Sequence, residues 1–458
     1  MAEQPAQVAH PSFGEALRFW VQLGFINFGG PTGQIALMHH ELVDRRRWVS
    51  DGRFLHALNY CMLLPGPEAQ QLAVYVGWLL HGTGGGLVAG IFFIVPSFFL
   101  MLVLSWLAAA HGDVAWISAV FYGLGAAVVG LVAAAMIRVG TRALANRVLA
   151  AIAVASFVAI LFVGVPFPVV IVVAGAAGWL GGRRWPVVFT GVGTAGDAVG
   201  GSAGGSVAVH DDDAATPEHA RASVRRAVTV LVVGLAAWLV PLAVVASLDL
   251  GTGVFRDQAF FFSKAALVTF GGAYAVLAYI NVAAVQTYGW VTSSQMVTGL
   301  GLAESTPGPL IMVVEFVGFL GAYAMHGDLT PLAAGALGAT VVVWATFAPC
   351  FLWIFLGAPY IEMLRGNVRL TSTLSTITAA VVGVIGSLAV TFALTTLFTT
   401  TTETPVLNTV IPVPDLASID LFATAIAVAA FLALWRFRVN VVAVVLIAAA
   451  AGLARSLL

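Results

Sequence analysis

Leu63-Leu64-Pro65-Gly66-Pro67-Glu68-Ala69-Gln70-Gln71 cuts through one apolar run, and Ala303-Glu304-Ser305-Thr306-Pro307-Gly308-Pro309-Leu310 cuts through another. Proline removes an N–H and clashes with the preceding helical turn, and glycine relaxes the backbone, so each tripeptide breaks a helix. The breaks stand 242 residues apart (residue 66 to residue 308). The same shift relates Phe28-Gly29-Gly30 to Phe270-Gly271-Gly272 and Trp48-Val49 to Trp290-Val291. Internal symmetry between apolar segments interrupted by Gly and Pro points to a transporter built from two repeats.

Composition fixes the solvent. Of 458 residues, 60% are hydrophobic and 9% are charged, against roughly 25% charge in a soluble chain. A bilayer accommodates that surplus, at about 20 apolar residues per spanning helix. The net charge of -1 says nothing of partners, and no basic tract suits nucleic acid. Cys61 and Cys350 both lie in apolar surroundings and read as two buried thiols. The polar start, Met1 to His10, has no signal-peptide pattern.

Apolar runs fall at about 14–30, 53–81, 84–110, 114–137, 148–163 and 166–182, and again at 227–248, 257–281, 295–324, 330–357, 373–399, 417–435 and 439–457. The expected fold is therefore an all-α polytopic membrane protein of about thirteen membrane segments, in two inverted repeats with helices broken at Pro-Gly-Pro. The expected division is an N-terminal repeat over 1–182, a polar cytoplasmic linker over 183–226, and a C-terminal repeat over 227–458 with its core from about 256. The linker carries Asp211-Asp212-Asp213, read as a solvated acidic stretch, and Thr216-Pro217-Glu218, read as a helix start. If every segment crosses from a cytoplasmic N-terminus, most arginines fall inside, from Arg138 and Arg142 to Arg436 and Arg438, as the positive-inside rule requires. Arg45-Arg46-Arg47 would then fall outside. The conflict disappears if the segments 14–44 and 53–81 enter and return, with tips at Phe28-Gly29-Gly30-Pro31 and Pro65-Gly66-Pro67.

Broken backbone at membrane depth survives where it is buried in protein or lines a wet cavity, and a half-helix start is a natural anion site. Substrate contacts are therefore expected from Phe28, Gly29, Gly30, Pro65, Gly66, Pro67, Glu68, Gln70 and Gln71. The second set is Phe270, Gly271, Gly272, Glu304, Thr306, Pro307, Gly308 and Pro309. Intramembrane carboxylates are functional candidates, and Glu68 and Glu304 are the candidate proton carriers, with Glu315 further along. Asn27, Gln34, Thr269, Tyr274 and Asn281 are available as hydrogen-bonding groups. His39-His40-Glu41-Leu42-Val43-Asp44 is not His-Glu-x-x-His, and reads as a polar surface stretch rather than a metal site. No phosphate-binding loop is present, so any pumping must draw on an ion gradient. No cofactor is expected.

The strings Phe28-Gly29-Gly30-Pro31, Glu41 to Trp48, Leu63 to Ala73, Val268 to Leu277 and Gly299 to Leu310 resemble the chromate ion transporter family in its long, two-domain form. That resemblance implies export of chromate across the bacterial inner membrane, chromate resistance, and sulfate as a structural analogue. Proton antiport and symport both stay open, and a homodimer is entertained as an assembly. A passive oxyanion channel and an intramembrane enzyme are the rival classes. An enzyme would need a nucleophile, metal set or redox centre, and the sequence offers none.

Overall fold

Each glycine-proline word sits where one short helix stops and the next begins. The computed structural model describes residues 10–189, 223–248, 250–270, 272–360, 368–406 and 409–457. Helix α1 (Phe13–Ile26) ends ahead of Phe28-Gly29-Gly30, and α2 (Gly30–His39) starts on it, passing into a π-turn over His40–Arg45. Helix α3 (Asp51–Cys61) ends before Pro65, and α4 (Glu68–His111) starts directly after Pro67. His81 and Gly82 leave helical geometry, which divides α4 into two arms. Gly77 lies against Gly85 and Ala89, and Gly86 against the Val74 carbonyl, so the arms fold back on each other. The boundary that the sequence places between the runs 53–81 and 84–110 is this hairpin.

At 1.5 Å per residue, α1, α2, α3 and the first arm of α4 each measure about 15–21 Å, well short of the ~30 Å hydrocarbon core. They do not cross. The Arg46 guanidinium lies 4.8 Å from the Phe19 ring centre and 5.0 Å from that of Trp48, and Trp48 meets Phe19 edge-on at 5.5 Å. The chain that follows the π-turn therefore packs back against the middle of α1. His10 and Phe13, at the start of α1, pack on His81 at 5.2 and 5.5 Å. Arg226 of the later chain lies 5.2 Å from the Trp78 ring centre, near the His81 end of the first arm of α4.

Next come α5 (Ala115–Ala143), α6 (Arg147–Leu161), α7 (Phe167–Arg184), the short α8 (Pro186–Phe189) and α9 (Val224–Ser247). The design then recurs. Helices α10 (Val254–Val268), α11 (Ala273–Asn281), α12 (Ser293–Ser305), α13 (Val313–Ala324) and α14 (Pro331–Gly357) repeat α1 to α4. A π-turn over Val282–Thr287 stands 242 residues after the first, at His40–Arg45. The Trp48 N–H donates to the Leu42 carbonyl, and the Trp290 N–H to that of Ala284, both at 2.8 Å. The chain closes with α15 (Val368–Leu397), a hairpin of β1 (Thr401–Val406) and β2 (Thr409–Pro414), α16 (Leu421–Trp435) and α17 (Val441–Ser456). The apolar runs 257–281 and 295–324 are thus split into half-helices, so the thirteen runs are not thirteen crossings. Among the described residues five helices are long and apolar enough to cross by themselves. The linker motifs at 211–213 and 216–218 lie outside the described residues.

The repeats run in opposite directions. The second arm of α4 corresponds to α14, and these two pack antiparallel, with Gly86 against Phe355 and Gly90 against Phe351. Small residues permit such approaches between membrane helices, and the same economy joins the outer helices. Gly130 of α5 lies against Ala427 and Phe431 of α16, and Gly383 of α15 against Ala153 and Phe157 of α6. Each half grips the other through the same contact, which is the mark of a two-fold relation.

Candidate functional site

The tips of the half-helices meet. The Gly66 N–H donates to the Thr269 carbonyl at 2.8 Å, and the Gly308 N–H donates to Asn27, to its carbonyl at 3.3 Å and to its side-chain oxygen. Asn27 and Thr269 are equivalent positions, each ending the helix before a Phe-Gly-Gly. The break of one repeat is therefore clamped by the tip of the other. Gln34 tightens the second clamp, its Nε2 donating to the Asn27 carbonyl at 3.0 Å and to that of Gly308 at 2.5 Å. Glycine is required at both breaks, with φ of +127° at Gly66 and +111° at Gly308.

Beside this junction lies a cavity of about 100 Å³. It is bounded by Gly29, Gly30, Pro31 and Thr32, by Gly272, Ala273 and Tyr274, by Glu68 and by Glu304. Leu131, Ala135, Arg138 and Val139 of α5 form one wall, and Ile385, Leu434 and Val441 complete it. Three helices, α2, α4 and α11, direct their N-terminal ends at this space, and each carries unpaired amides and a positive dipole end. Positive φ at Gly29 (+94°), Gly30 (+65°) and Gly272 (+96°) brings bare backbone to the wall. A Cβ on Gly272 would sit 3.5 Å from Glu68 Oε1. The Tyr274 hydroxyl donates to Glu304 Oε1. Arg138 makes no ion pair with any described carboxylate and lines the same cavity as Glu304 and Tyr274.

Of the residues expected from sequence, Gly29, Gly30, Glu68, Gly272 and Glu304 come together around the cavity, and Gly271 lies outside the described residues. Pro65, Gly66, Pro67, Pro307, Gly308 and Pro309 form the clamped breaks instead, their central amides already engaged. Phe28 and Phe270 shape the tips, each N–H turning back to the carbonyl two residues earlier (2.9 and 3.0 Å). Gln70 is buried without a partner for its amide, Gln71 donates to the Pro65 carbonyl at 2.8 Å, and Thr306 donates to Ala303 at 3.1 Å. The amides of Leu310 to Met312 belong to an apolar 3-10 turn in the core and do not reach the cavity. Glu315 is fully buried, away from it, with both oxygens unpartnered.

Arg138 is the residue that sequence reasoning missed as a site group. The sequence alone places it with the cytoplasmic arginines that follow it, Arg142 and Arg147. The signal was its position: α5 continues to Ala143, so Arg138 stands a full turn inside the helix.

A model of the family described as "Chromate transporter" matches residues 14–179 and 256–453, two stretches whose starts are again 242 residues apart (14 to 256). This chain belongs to the chromate transporter family. It is 32% identical over 462 residues to the chromate transport protein of Pseudomonas aeruginosa, covering 98% of this chain and 93% of that one. The chromate transport protein of Cupriavidus metallidurans is 28% identical over 371 residues (81% and 80%), and the probable chromate transport protein of Synechococcus elongatus 27% over 384 residues (83% and 85%). No solved structure matches the chain. The matched stretches hold both repeats and leave out the linker and the whole of α9. Membership makes the chain a multi-pass membrane transport protein, and its relatives are named as transporters rather than enzymes.

Proposed function

We propose that this protein is a secondary transporter that exports chromate across the bacterial inner membrane, with sulfate as an analogue, driven by an ion gradient. The observation that carries the reading is the cavity: three helix starts and one free guanidinium converge on a space beside the junction of two opposed repeats. Helix starts and an arginine suit an oxyanion, whose charge spreads over several acceptor oxygens. In this reading the amides near Gly29–Thr32 and Gly272–Tyr274 and the Arg138 guanidinium hold the anion, and Glu68 or Glu304 carries the coupling proton. Proton binding at either removes a negative charge that would repel the substrate. Export is supported by the location of the cavity's mouth. Arg138 is exposed, and Leu434 and Val441 bracket the turn that holds Arg436 and Arg438. By the positive-inside rule that is the cytoplasmic side.

The deciding experiment is chromate uptake into inverted inner-membrane vesicles, with and without a pH gradient. Accumulation that collapses with the gradient supports coupled export. Flux that is indifferent to it would make the protein a passive pathway, and absence of chromate flux would remove the substrate assignment. Glu68→Gln is expected to uncouple or abolish transport while leaving folded protein in the membrane.

A further inference from the structure

We infer that the protein moves as two units, a carrier that bears the helix tips and a frame that bears Arg138, and that the anion crosses with the carrier while Arg138 stays behind. This deepens the reading above and rests on it. The carrier comprises α1 to α4 and α9 to α14, and the frame α5 to α8 and α15 to α17. Closeness of approach draws the division. In the carrier, Gly24 lies so near the Phe92 carbonyl, and Gly357 so near the Tyr60 hydroxyl, that no Cβ would fit, and a Cβ on Gly338 would stand 2.5 Å from the Gly318 carbonyl oxygen. In the frame, Gly123, Gly130 and Gly383 are pressed in the same way onto the Ala448, Ala427 and Ala153 carbonyls. Backbones interlocked like this hold their helices in one arrangement. Hydrogen bonds between helices reinforce each unit. In the carrier, Tyr60 donates to the Trp353 carbonyl at 3.2 Å and Gln258 to that of Gly318 at 3.0 Å. In the frame, Tyr122 donates to Asp420 and Asn146 to the Val188 carbonyl, both at 2.7 Å. Across the seam the fit is looser and apolar. A Cβ on Gly301 would have Val128 at 3.2 Å and Leu124 at 3.3 Å, one on Gly125 would have Val297 at 3.6 Å, and Phe167 stacks on Tyr279 at 5.8 Å.

The cavity lies on that seam. The carrier supplies the tips, Glu68 and Glu304, and the frame supplies Arg138, Ile385 and Leu434. Leu131, Ala135 and Val139 recur every four residues, on one face of α5, so the frame presents an apolar track with Arg138 toward its cytoplasmic end. The amides that hold the anion in the proposed reading, near Gly29–Thr32 and Gly272–Tyr274, belong to the carrier. Packed helices slide past one another as an ordinary form of domain motion, and inverted repeats supply two equivalent resting positions. As the carrier shifts outward along α5, the anion stays with the tips and loses the guanidinium. The track offers no polar group in its place. Binding is therefore tighter where the anion loads and weaker where it leaves, which favours loading from the cytoplasm and release outside.

The test bridges α5 in two ways, in full-length protein carrying Cys61→Ala and Cys350→Ala. Gly125→Cys/Val297→Cys ties the frame to the carrier, and Gly140→Cys/Val382→Cys ties two helices of the frame. A Cβ at each glycine lies 3.6 and 3.4 Å from its partner valine Cγ1, within reach of a disulfide. Chromate uptake into inverted vesicles is read after oxidation, and again after reduction with the reductant washed away, so each protein is its own reference. The first pair should stop transport when bridged and recover when reduced, while the second transports equally in both states. Should the first pair fail to fold, Leu124→Cys/Gly301→Cys spans the same seam. Undiminished transport by a bridge across the seam, or loss of transport by the bridge within the frame, overturns the inference and leaves the chromate reading standing. Absence of chromate uptake by the parent protein overturns the reading instead. Arg138→Gln supplies the second arm: the half-saturating chromate concentration should rise roughly tenfold at the cytoplasmic face, in inverted vesicles, and less than about twofold in right-side-out vesicles. Equal rises at both faces would place the guanidinium with the moving unit and overturn its staying behind.

Discussion

Substituting Gly308 with alanine tests the clamped junction most directly. Gly308 has φ of +111°, and a Cβ there would stand 2.5 Å from Ser97 Cβ and 2.7 Å from Ser97 Oγ, with Phe93 O at 3.9 Å. Two costs separate. The left-handed backbone costs an L-residue about 1–2 kcal/mol, and overpacking against Ser97 costs about 1–3 kcal/mol. Gly308→Ala should therefore lose about 2–5 kcal/mol, drawn from these two ranges. Ser97 is the near neighbour, so Ser97→Gly in the same molecule should restore the overpacking part and leave the backbone part of about 1–2 kcal/mol. A double-mutant cycle on reversible unfolding in mixed micelles, read by tryptophan fluorescence, measures the coupling. A coupling near zero, or a Gly308→Ala protein as stable as the wild type, would refute the placement of the second break against α4.

Arg138→Gln should raise the chromate concentration for half-maximal vesicle uptake by roughly tenfold or more, since an ion pair to a charged group contributes about 1.5–3 kcal/mol, and Arg138→Lys should recover only part of it; an unchanged value removes Arg138 from the site. Gln34→Ala leaves the Asn27 and Gly308 carbonyls without their shared donor and should cost about 1–3 kcal/mol in the same unfolding assay. Single cysteines replacing Arg47 and Arg184 should both react with a membrane-impermeant maleimide in inverted vesicles and not in intact cells, and labelling of Arg47→Cys from outside would sink the returning path of α1 and α2. At the opposite end, Asp420 caps α16 and accepts hydrogen bonds from Tyr122 at 2.7 Å and Arg455 at 2.9 Å. Burial pushes its carboxyl up, but the Ala423 amide, Tyr122 and Arg455 outweigh it and hold the group below the usual aspartate range. The stabilisation is present above the unfolded-state value of about 3.9 and is lost as pH falls through the lower folded-state value; thermal stability should decline on that acid side, and Asp420→Asn should flatten the decline.

The scaffold was legible in the sequence because its rules are local. Pro65-Gly66-Pro67 cannot continue a helix, and the words recur at one spacing. The site was half legible. Glu68 and Glu304 were visible as acids in apolar sequence, where charge is costly. What could not be read was which amides remain free. Asn27 and Thr269 close on Gly308 and Gly66 across 281 and 203 residues (27 to 308, 66 to 269), and nothing local announces such a pairing. Once those donors are engaged, the available ones belong to the Gly-Gly tips, and the cavity moves there. Arg138 was hidden for a similar reason. Its neighbours in sequence are the arginines of a loop, while its neighbours in space are Glu304 and Tyr274.

The symmetric frame carries an unsymmetric cargo of side chains. The counterpart of Glu68 is Leu310, and the counterpart of Glu304 is Met62. Backbone that is interchangeable between halves can exchange conformations, one half adopting the pose of the other, and so present the pathway to the opposite compartment without inventing a new shape. The acids cannot trade places in that exchange. On the proposed reading, direction rests on these few departures from two-fold symmetry, and transplanting them, Glu68 and Glu304 to positions 310 and 62, is the alteration expected to change it.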